Sequence, residues 1–577
     1  MSKFTHRSSI AAALGSLCLM AGSLHAAGSK PNVLFIALDD LNDWIGCMGG
    51  HPQTLTPNLD RLAAEGVLFT NAHCSAPACN PSRISLFSGR SPHATGIYTN
   101  AQKLRDVLPD VTLLPKHFSN HGYRASGSGK MLHYIIDAES WDEYFPEKST
   151  EMPIPDTKYP DKRPLSLPVG GPWQYVETDW GPLEVSDEEF GGDHTVSEWV
   201  GDKLSKKHEK PFFLACGIYR PHEPWFVPAK YFEKFPLDSI QLPPGYRDGD
   251  LDDLSEEAKK LAQNRYFPHI LEHGQWKKAV QGYLASIHFA DAMLGRVLAA
   301  LEKGPNKDNT IVVLWSDHGW HLGEKEHWQK YTAWRACTRV PLMVKVPAGV
   351  SEALPGGTPA GDACDAPVSL LGLYATLTEL CGLPDGEKID GRSIVPLLKD
   401  PSSMLEPAAL TFLHDGGGVG VSGSEWRYIR YSGGAEELYH TPEDPYEWNN
   451  LAQDPNHQKE LERLRALIPA NFAERAVVKV RDLPELKWKP CTESAELPPS
   501  KPDGGKVRLA FVNHRDEPVK LFWVNPQGKA VEMGAIDAGK QTEREGRPGT
   551  VWAIADADGG FLGFFEVLDR AAKGVIR

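Results

Sequence analysis

Two apolar runs, each closed by an acidic pair, constrain this chain more than any other feature. Val33-Leu34-Phe35-Ile36-Ala37-Leu38 runs straight into Asp39-Asp40. Thr310-Ile311-Val312-Val313-Leu314-Trp315-Ser316 runs into Asp317-His318-Gly319. Apolar runs without alternation read as strands buried on both faces, the habit of parallel sheets covered by helices. Phe212-Phe213-Leu214-Ala215-Cys216 is a third such run, and 280–303 reads as a helix ending near Gly304-Pro305. Residues 30 to about 395 alternate such strands with helical segments, so the predicted class is α/β, a mainly parallel sheet flanked by helices. Carboxylates at the carboxyl ends of these strands sit where open α/β sheets place their ligands. Three Asp and a His suit a hard divalent cation, Ca²⁺ or Mg²⁺. A helix cap at Asp39-Asp40 and a turn at Asp317-His318 are the plainer alternatives for either pair alone.

With 577 residues, 41% of them hydrophobic, the chain has room for one large domain and smaller appendages. A net charge of −15 argues against nucleic acid and against general binding of polyanions. Lys3 and Arg7 precede a short run of apolar and small residues over 10–24, and Ala26-Ala27-Gly28 offers a cleavage site. That pattern predicts a secretory signal peptide over 1–27, not a membrane span, and hence a periplasmic or secreted protein with no stable membrane anchor. Export permits disulfides. Nine Cys less Cys18 and Cys79 leave an odd seven, none with zinc-type spacing. Cys364–Cys381 is the expected pair.

Cys79-Asn80-Pro81-Ser82-Arg83 leads into Ile84-Ser85-Leu86-Phe87 and Ser88-Gly89-Arg90. Alone, a Cys before Pro-Ser-Arg is most often a loop thiol. Here it keeps company with Pro31-Asn32-Val33-Leu34, Thr56-Pro57-Asn58-Leu59-Asp60-Arg61-Leu62 and Gly129-Lys130-Met131-Leu132-His133. Tyr219-Arg220-Pro221-His222-Glu223-Pro224, Ser316-Asp317-His318-Gly319-Trp320, Lys330-Tyr331, Val340-Pro341-Leu342 and Glu437-Leu438-Tyr439 follow in order, then Glu447-Trp448-Asn449-Asn450-Leu451. Together these resemble the sulfatases of the alkaline-phosphatase-like superfamily, of the iduronate-2-sulfatase type, over roughly residues 30–475.

That resemblance implies a role for each matching position. Cys79 would be oxidised by a maturase to formylglycine, whose hydrate takes sulfate from an ester. Asp39, Asp40, Asp317, His318 and the modified Cys79 would hold one Ca²⁺, with Mg²⁺ the other option. Arg83, one helical turn beyond Cys79, would brace the hydrate and balance the carboxylates. Lys130, His133, His222 and Lys330 complete the catalytic set. His222, with Lys330 as the other candidate donor, would protonate the leaving oxygen, where charge develops in the transition state. His133 would take a proton from the second hydroxyl of the hydrate, and the order of the two His roles stays open. Covalent catalysis of this kind divides one hard step into two easier ones. An anionic substrate on an acidic body needs a locally basic pocket, which Arg83, Lys130, Lys330, Arg335 and Arg339 would supply. Tyr98, Trp320, His321 and Trp225 lie near these segments and would flank a sugar ring.

The expected substrate is a sulfated oligo- or polysaccharide, a uronic acid or galactose sulfate. A choline or aryl sulfate, or a phosphoric-ester or phosphonate substrate of the same superfamily, is the alternative. The catalytic domain is expected over 28–395 and a small antiparallel subdomain over 396–483, with strands Ala409-Leu410-Thr411-Phe412 and Trp426-Arg427-Tyr428-Ile429-Arg430-Tyr431 and a helix from His457 to about Val478. Residues 484–505, rich in Pro, Lys and Ser, read as a linker. The tail, 506–577, shifts to short alternating strands and reads as an appended β-sandwich. It resembles the β domain of the von Hippel-Lindau protein. Trp523 and Trp552 match two walls of that family's peptide pocket, while Met533, Gly546 and Thr550 depart from it.

Overall fold

The computed structural model describes residues 30–150, 152–168, 177–405, 407–477, 479–491, 497–502, 507–568 and 571–577. The signal peptide expected over 1–27, Val478 and parts of the expected linker lie outside the described residues.

One eight-stranded sheet positions everything that follows. Its order is Asp362–Cys364, Val67–Phe69, Leu342–Lys345, Thr310–Ser316, Asn32–Leu38, Phe212–Ile218, Arg124–Gly129 and Glu143–Phe145. All neighbours are parallel except Leu342–Lys345, which is antiparallel to both of its partners. Asn32–Leu38 is central and buried along its whole length. Because side chains alternate across a strand, Leu34, Ile36 and Leu38 enter one core and Val33, Phe35 and Ala37 the other. The first core is closed by the long helix Trp276–Lys303, the second by helices Cys79–Ser88 and Leu373–Leu380. Trp276–Lys303 begins before the expected residue 280. Among the described residues it is the one helix long and apolar enough to cross a membrane, and its apolar residues are spent on the core.

A second sheet, Ala409–Phe412, Val419–Ser422, Trp426–Arg430 and Glu436–His440, is antiparallel throughout. The helix over it, Gln458–Arg465, ends well before the expected 478. Pro469 disfavours helical backbone at Ile468. The chain then runs extended, so that the Ala473 and Ala476 amides donate to the carbonyls of His93 and Gly96, at 2.7 and 2.9 Å. This second sheet is fastened to the first domain by Arg427. Its buried guanidinium donates to Glu447 at 2.9 Å and also to Ser422 and the Ala333 carbonyl.

The tail is two packed sheets. One is Lys489–Pro490, Phe561–Glu566, Val551–Ala555, Val519–Val524 and Ala530–Ile536; the other is Gln541–Gly546, Val507–Asn513 and Ala572–Ile576. The linker reading needs correction here. Leu486 and Trp488 pack into the tail's core, and Lys489-Pro490 pairs with Gly563 and Phe564. Two apolar side chains at alternate positions outweigh the Pro and Lys around them. Trp523 and Trp552 are cross-strand neighbours packed with that core, so they do not wall an open peptide pocket. The expected Cys364–Cys381 disulfide is absent, and all eight described cysteines are free thiols. Cys364 pairs beside Phe69 on the sheet edge, whereas Cys381 caps helix Leu373–Leu380 against Tyr123.

Removing Arg427 strands Glu447 without its partner. Arg427→Met is expected to cost about 3–5 kcal/mol, read as a lower urea midpoint, whereas a surface change at Arg430 leaves the midpoint in place.

Candidate active site

Cys79 opens a helix all of whose residues are buried, after an extended Ala78 at φ −158° and ψ 147°. Pro81 falls in the first turn, where backbone amides have no helical acceptor to lose. The spacing of Cys79 and Arg83 puts both on one face. Arg83 then joins three strand ends. Its Nε donates to Asp317 at 2.8 Å, its Nη2 to Asp39 at 3.0 Å, and its Nη1 to the carbonyls of Lys130 and Met131 at 2.6 and 3.2 Å. Two glycines let those carbonyls come so close. A Cβ on Gly129, at φ +75°, would lie 2.0 Å from the Gly217 carbonyl oxygen, and one on Gly217 would lie 2.5 Å from Lys130 backbone.

Just past the central strand Asp40 turns to φ +61°, a left-handed conformation uncommon for Asp, and its carboxylate stays close to that of Asp39. Tyr283, from the long core helix, holds that turn. Its hydroxyl donates to the Asp40 carbonyl at 2.7 Å and accepts from the Asn42 amide at 3.1 Å. Asp40 Oδ1 receives Lys330 at 2.9 Å and lies 3.3 Å from His318 Nε2. Asp40 Oδ2 is buried without a hydrogen-bond partner, 3.7 Å from His222 Nε2. Ligand atoms of Asp40, Cys79, Asp317 and His318 fall within 4.8 Å of one another, as do those of Asp39, Asp40, Cys79 and His222. An orphaned carboxylate oxygen inside a cluster of three carboxylates fits a hard divalent cation. His318 is oriented for it, its Nδ1 engaged with the Gly319 carbonyl at 3.0 Å, while the Nδ1 of His222 is held by the Glu223 carbonyl at 2.5 Å.

The Cys79 sulfur sits 3.1 Å from Lys330 Nζ, 3.3 Å from His318 Nε2 and 3.7 Å from Lys130 Nζ. Burial works to raise this thiol, but Lys130, Lys330 and His318 outweigh it and hold it well below its ordinary range. The same balance operates at Asp39: burial opposes ionisation, and Lys130 and Arg83 override it to keep the carboxyl well below its usual value. At Asp317 burial wins and lifts the carboxyl to about 7 against Arg83 and His318. Lys130 is ion-paired with Asp39, and its ammonium lies 4.8 and 5.2 Å from the rings of Tyr134 and Tyr219. Burial lowers His133, which keeps it a neutral base, and its Nδ1 is buried without a partner. The structure therefore gathers Asp39, Asp40, Cys79, Arg83, Lys130, His133, His222, Asp317, His318 and Lys330 around one point.

Other sequence expectations are not met. Tyr98 is buried beneath Phe412 and Val419, with its hydroxyl donating to the Ala473 carbonyl, so it faces the second sheet and not a sugar. His321 is fully buried between the Glu324 carbonyl and Thr332 Oγ1. Trp320 packs on Trp225 and lies 5.4 Å under the Lys330 ammonium, a support for that lysine. Arg335 and Arg339 line a separate cavity of about 190 Å³, where Arg339 pairs with Asp43 at 2.7 Å. Tyr134, Tyr219 and Tyr283 have no role in the sequence reading, although Tyr219 belongs to one of its motifs. The first two adjoin motif histidines, which was a usable signal; Tyr283, in the middle of an apolar helix, carried none.

The family profile described as sulfatase matches residues 31–383. This chain belongs to the sulfatase family. It is 39% identical over 455 residues to a sulfatase of Formosa agariphila, covering 77% of this chain and 87% of that one. It is 33% identical over 407 residues to iduronate 2-sulfatase of Mus musculus, covering 64% and 73%. A solved 2-O GAG sulfatase superposes with a TM-score of 0.58 at 23% identity, over 76% of this chain and 91% of that one. The sulfatase is thus a sulfuric ester hydrolase on an alkaline-phosphatase-like fold, with an antiparallel sheet and then a two-sheet tail after the eight-stranded sheet.

Tyr283→Phe removes the hydroxyl that steadies Asp40 and touches no other candidate ligand. Divalent-cation affinity is expected to fall about 10–100-fold, measured by calorimetric titration of metal-stripped protein; an unchanged affinity would remove Tyr283 from the site.

Proposed function

We propose that this sulfatase hydrolyses a sulfate ester on a sulfated oligo- or polysaccharide, a uronic acid or galactose sulfate, in the periplasm or outside the cell. The observation that carries the reaction is the Cys79 sulfur, buried among two lysines and a histidine beside an unpartnered Asp40 oxygen. On this reading a maturase converts Cys79 to formylglycine, and Asp39, Asp40, Asp317, His318 and the modified residue hold Ca²⁺. Formylglycine supplies a hydrated aldehyde, one hydroxyl to accept sulfate and a second to expel it. The cation supplies charge to polarise the sulfate. Ca²⁺ is preferred over Mg²⁺ because the donors are protein groups in an irregular buried set, whereas Mg²⁺ keeps several waters.

The side chains divide the remaining work. Arg83 fixes Asp39 and Asp317 and so sets the spacing of the carboxylates. Lys130 and Lys330 neutralise the incoming sulfate. His222 Nε2, aimed inward by the Nδ1 contact to the Glu223 carbonyl, protonates the leaving oxygen. His133, neutral and with a free buried Nδ1, receives the proton that the second hydroxyl gives up. The preference for a saccharide rests on likeness to iduronate 2-sulfatase and to the 2-O GAG sulfatase fold.

Enzyme co-expressed with a maturase is expected to release sulfate from one class of saccharide, and Cys79→Ala to release none. Sulfate release that survives this substitution sinks the mechanism, and phosphate released from an ester in its place would favour the phosphoric-ester reading. EGTA is expected to abolish turnover and Ca²⁺ to restore it. His222→Gln should lower kcat about 10²–10⁴-fold on sugar sulfates and far less on an aryl sulfate, whose phenolate leaves without a proton. Equal losses on both substrates would take the acid role away from His222.

A further inference from the structure

A groove of about 840 Å³ lies at the opposite end of the strands from Cys79, lined by Lys116, Arg124, Lys148, Lys207 and Lys210 among others. Arg124 begins the strand whose other end delivers Lys130, and Lys207 and Lys210 precede the strand that ends before Tyr219. The groove is therefore one strand length, roughly 20 Å, from the catalytic end, and it cannot be an arm of the sulfate pocket.

Its charge is lopsided. Two of its three acidic groups are already engaged within the protein: Asp142 accepts from the Ala125 amide and the Ser119 hydroxyl at 2.8 and 2.9 Å, and Glu139 pairs with Arg105 at 2.8 Å. Glu209 is the third. Arg124 shares Glu143 with Lys203, and Lys148 donates to the carbonyls of Trp141 and Asp142. Lys116, Lys207 and Lys210 are exposed and have no carboxylate partner among the described residues. On a chain of net charge −15, three free ammonium groups on one groove form a local reversal of sign that attracts anions at short range.

We propose that this groove binds a sulfated polysaccharide chain, a second site that retains a long substrate while another stretch of it reaches Cys79. The proposal rests on the saccharide reading above. Flexible ammonium groups spaced along an open groove recognise a row of sulfates as point charges, without demanding one sugar. Retention at a second site raises the effective concentration of a polymer at the catalytic end and does nothing for a short substrate.

The test uses the full chain carrying Cys79→Ala, so that binding is read without turnover, against immobilised heparin, hyaluronan and double-stranded DNA. Heparin is expected to bind, with affinity falling about tenfold or more, and with a weaker dependence on salt, when Lys116→Ser, Lys207→Ser and Lys210→Ser are combined. The matured enzyme with the same three changes should keep its kcat/KM on a sulfated disaccharide while its KM on the polymer rises. Undiminished heparin binding by the triple variant overturns the proposal. Equal binding of unsulfated hyaluronan or of DNA overturns the assignment to sulfated glycan. Heparin binding that depends on the three lysines, in a protein that releases no sulfate from any saccharide, upholds the groove and rejects the catalytic reading alone.

Discussion

The buried guanidinium of Arg83 is the contact on which the rest depends. It reaches Asp39 from the central strand, Asp317 from its neighbour and two carbonyls beyond a third strand. None of these charges is exposed to water. A buried ion pair is a poor source of net stability, since desolvation takes back most of the attraction. Its contribution is placement. Arg, with a planar fork of five donors that stays charged, holds two carboxylates at fixed angles where a Lys would offer one mobile point. Remove it and Asp39 is left with Lys130 and Asp317 with His318, each a single contact in place of the shared fork that holds the two carboxylates together.

Much of this arrangement was legible in the sequence. Val33–Leu38 and Thr310–Ser316 announced themselves as buried strands by unbroken apolarity, and the carboxylates that follow them meet in space because parallel strands end on one side. The Cys79–Arg83 spacing gave the shared helical face. What escaped was contact between distant segments. Nothing local reveals that Tyr283 reaches Asp40, or that Tyr98 looks toward Ala473, because burial is decided by whichever element happens to pack above. Arg335 and Arg339 follow Lys330 closely in sequence, yet the short helix Arg335–Thr338 turns them into another cavity. In the same way, a linker reading based on Pro and Lys content missed Leu486 and Trp488, whose alternation was a strand signal in a few residues.

Net charge proved a poor guide to local field. The body is acidic, yet the catalytic centre is crowded with cations and the far groove carries unpaired lysines. At the centre, low polarity makes each charge strong, and partners lie within about 3–4 Å. In the groove water screens each lysine within about a Debye length, so that only a ligand lying directly in it feels the sum.

The central strand has consequences for how the chain assembles. Val33 pairs with Phe213 on one side and with Ile311 on the other, partners far away in the sequence. Pairings of such separation close large loops before they are rewarded, which makes for slow, late-forming structure. During synthesis the amino-terminal third therefore waits with an open strand edge until Thr310–Ser316 emerges. Cys79 is wholly enclosed in the folded chain, so contact with another macromolecule belongs to the chain before that sheet closes.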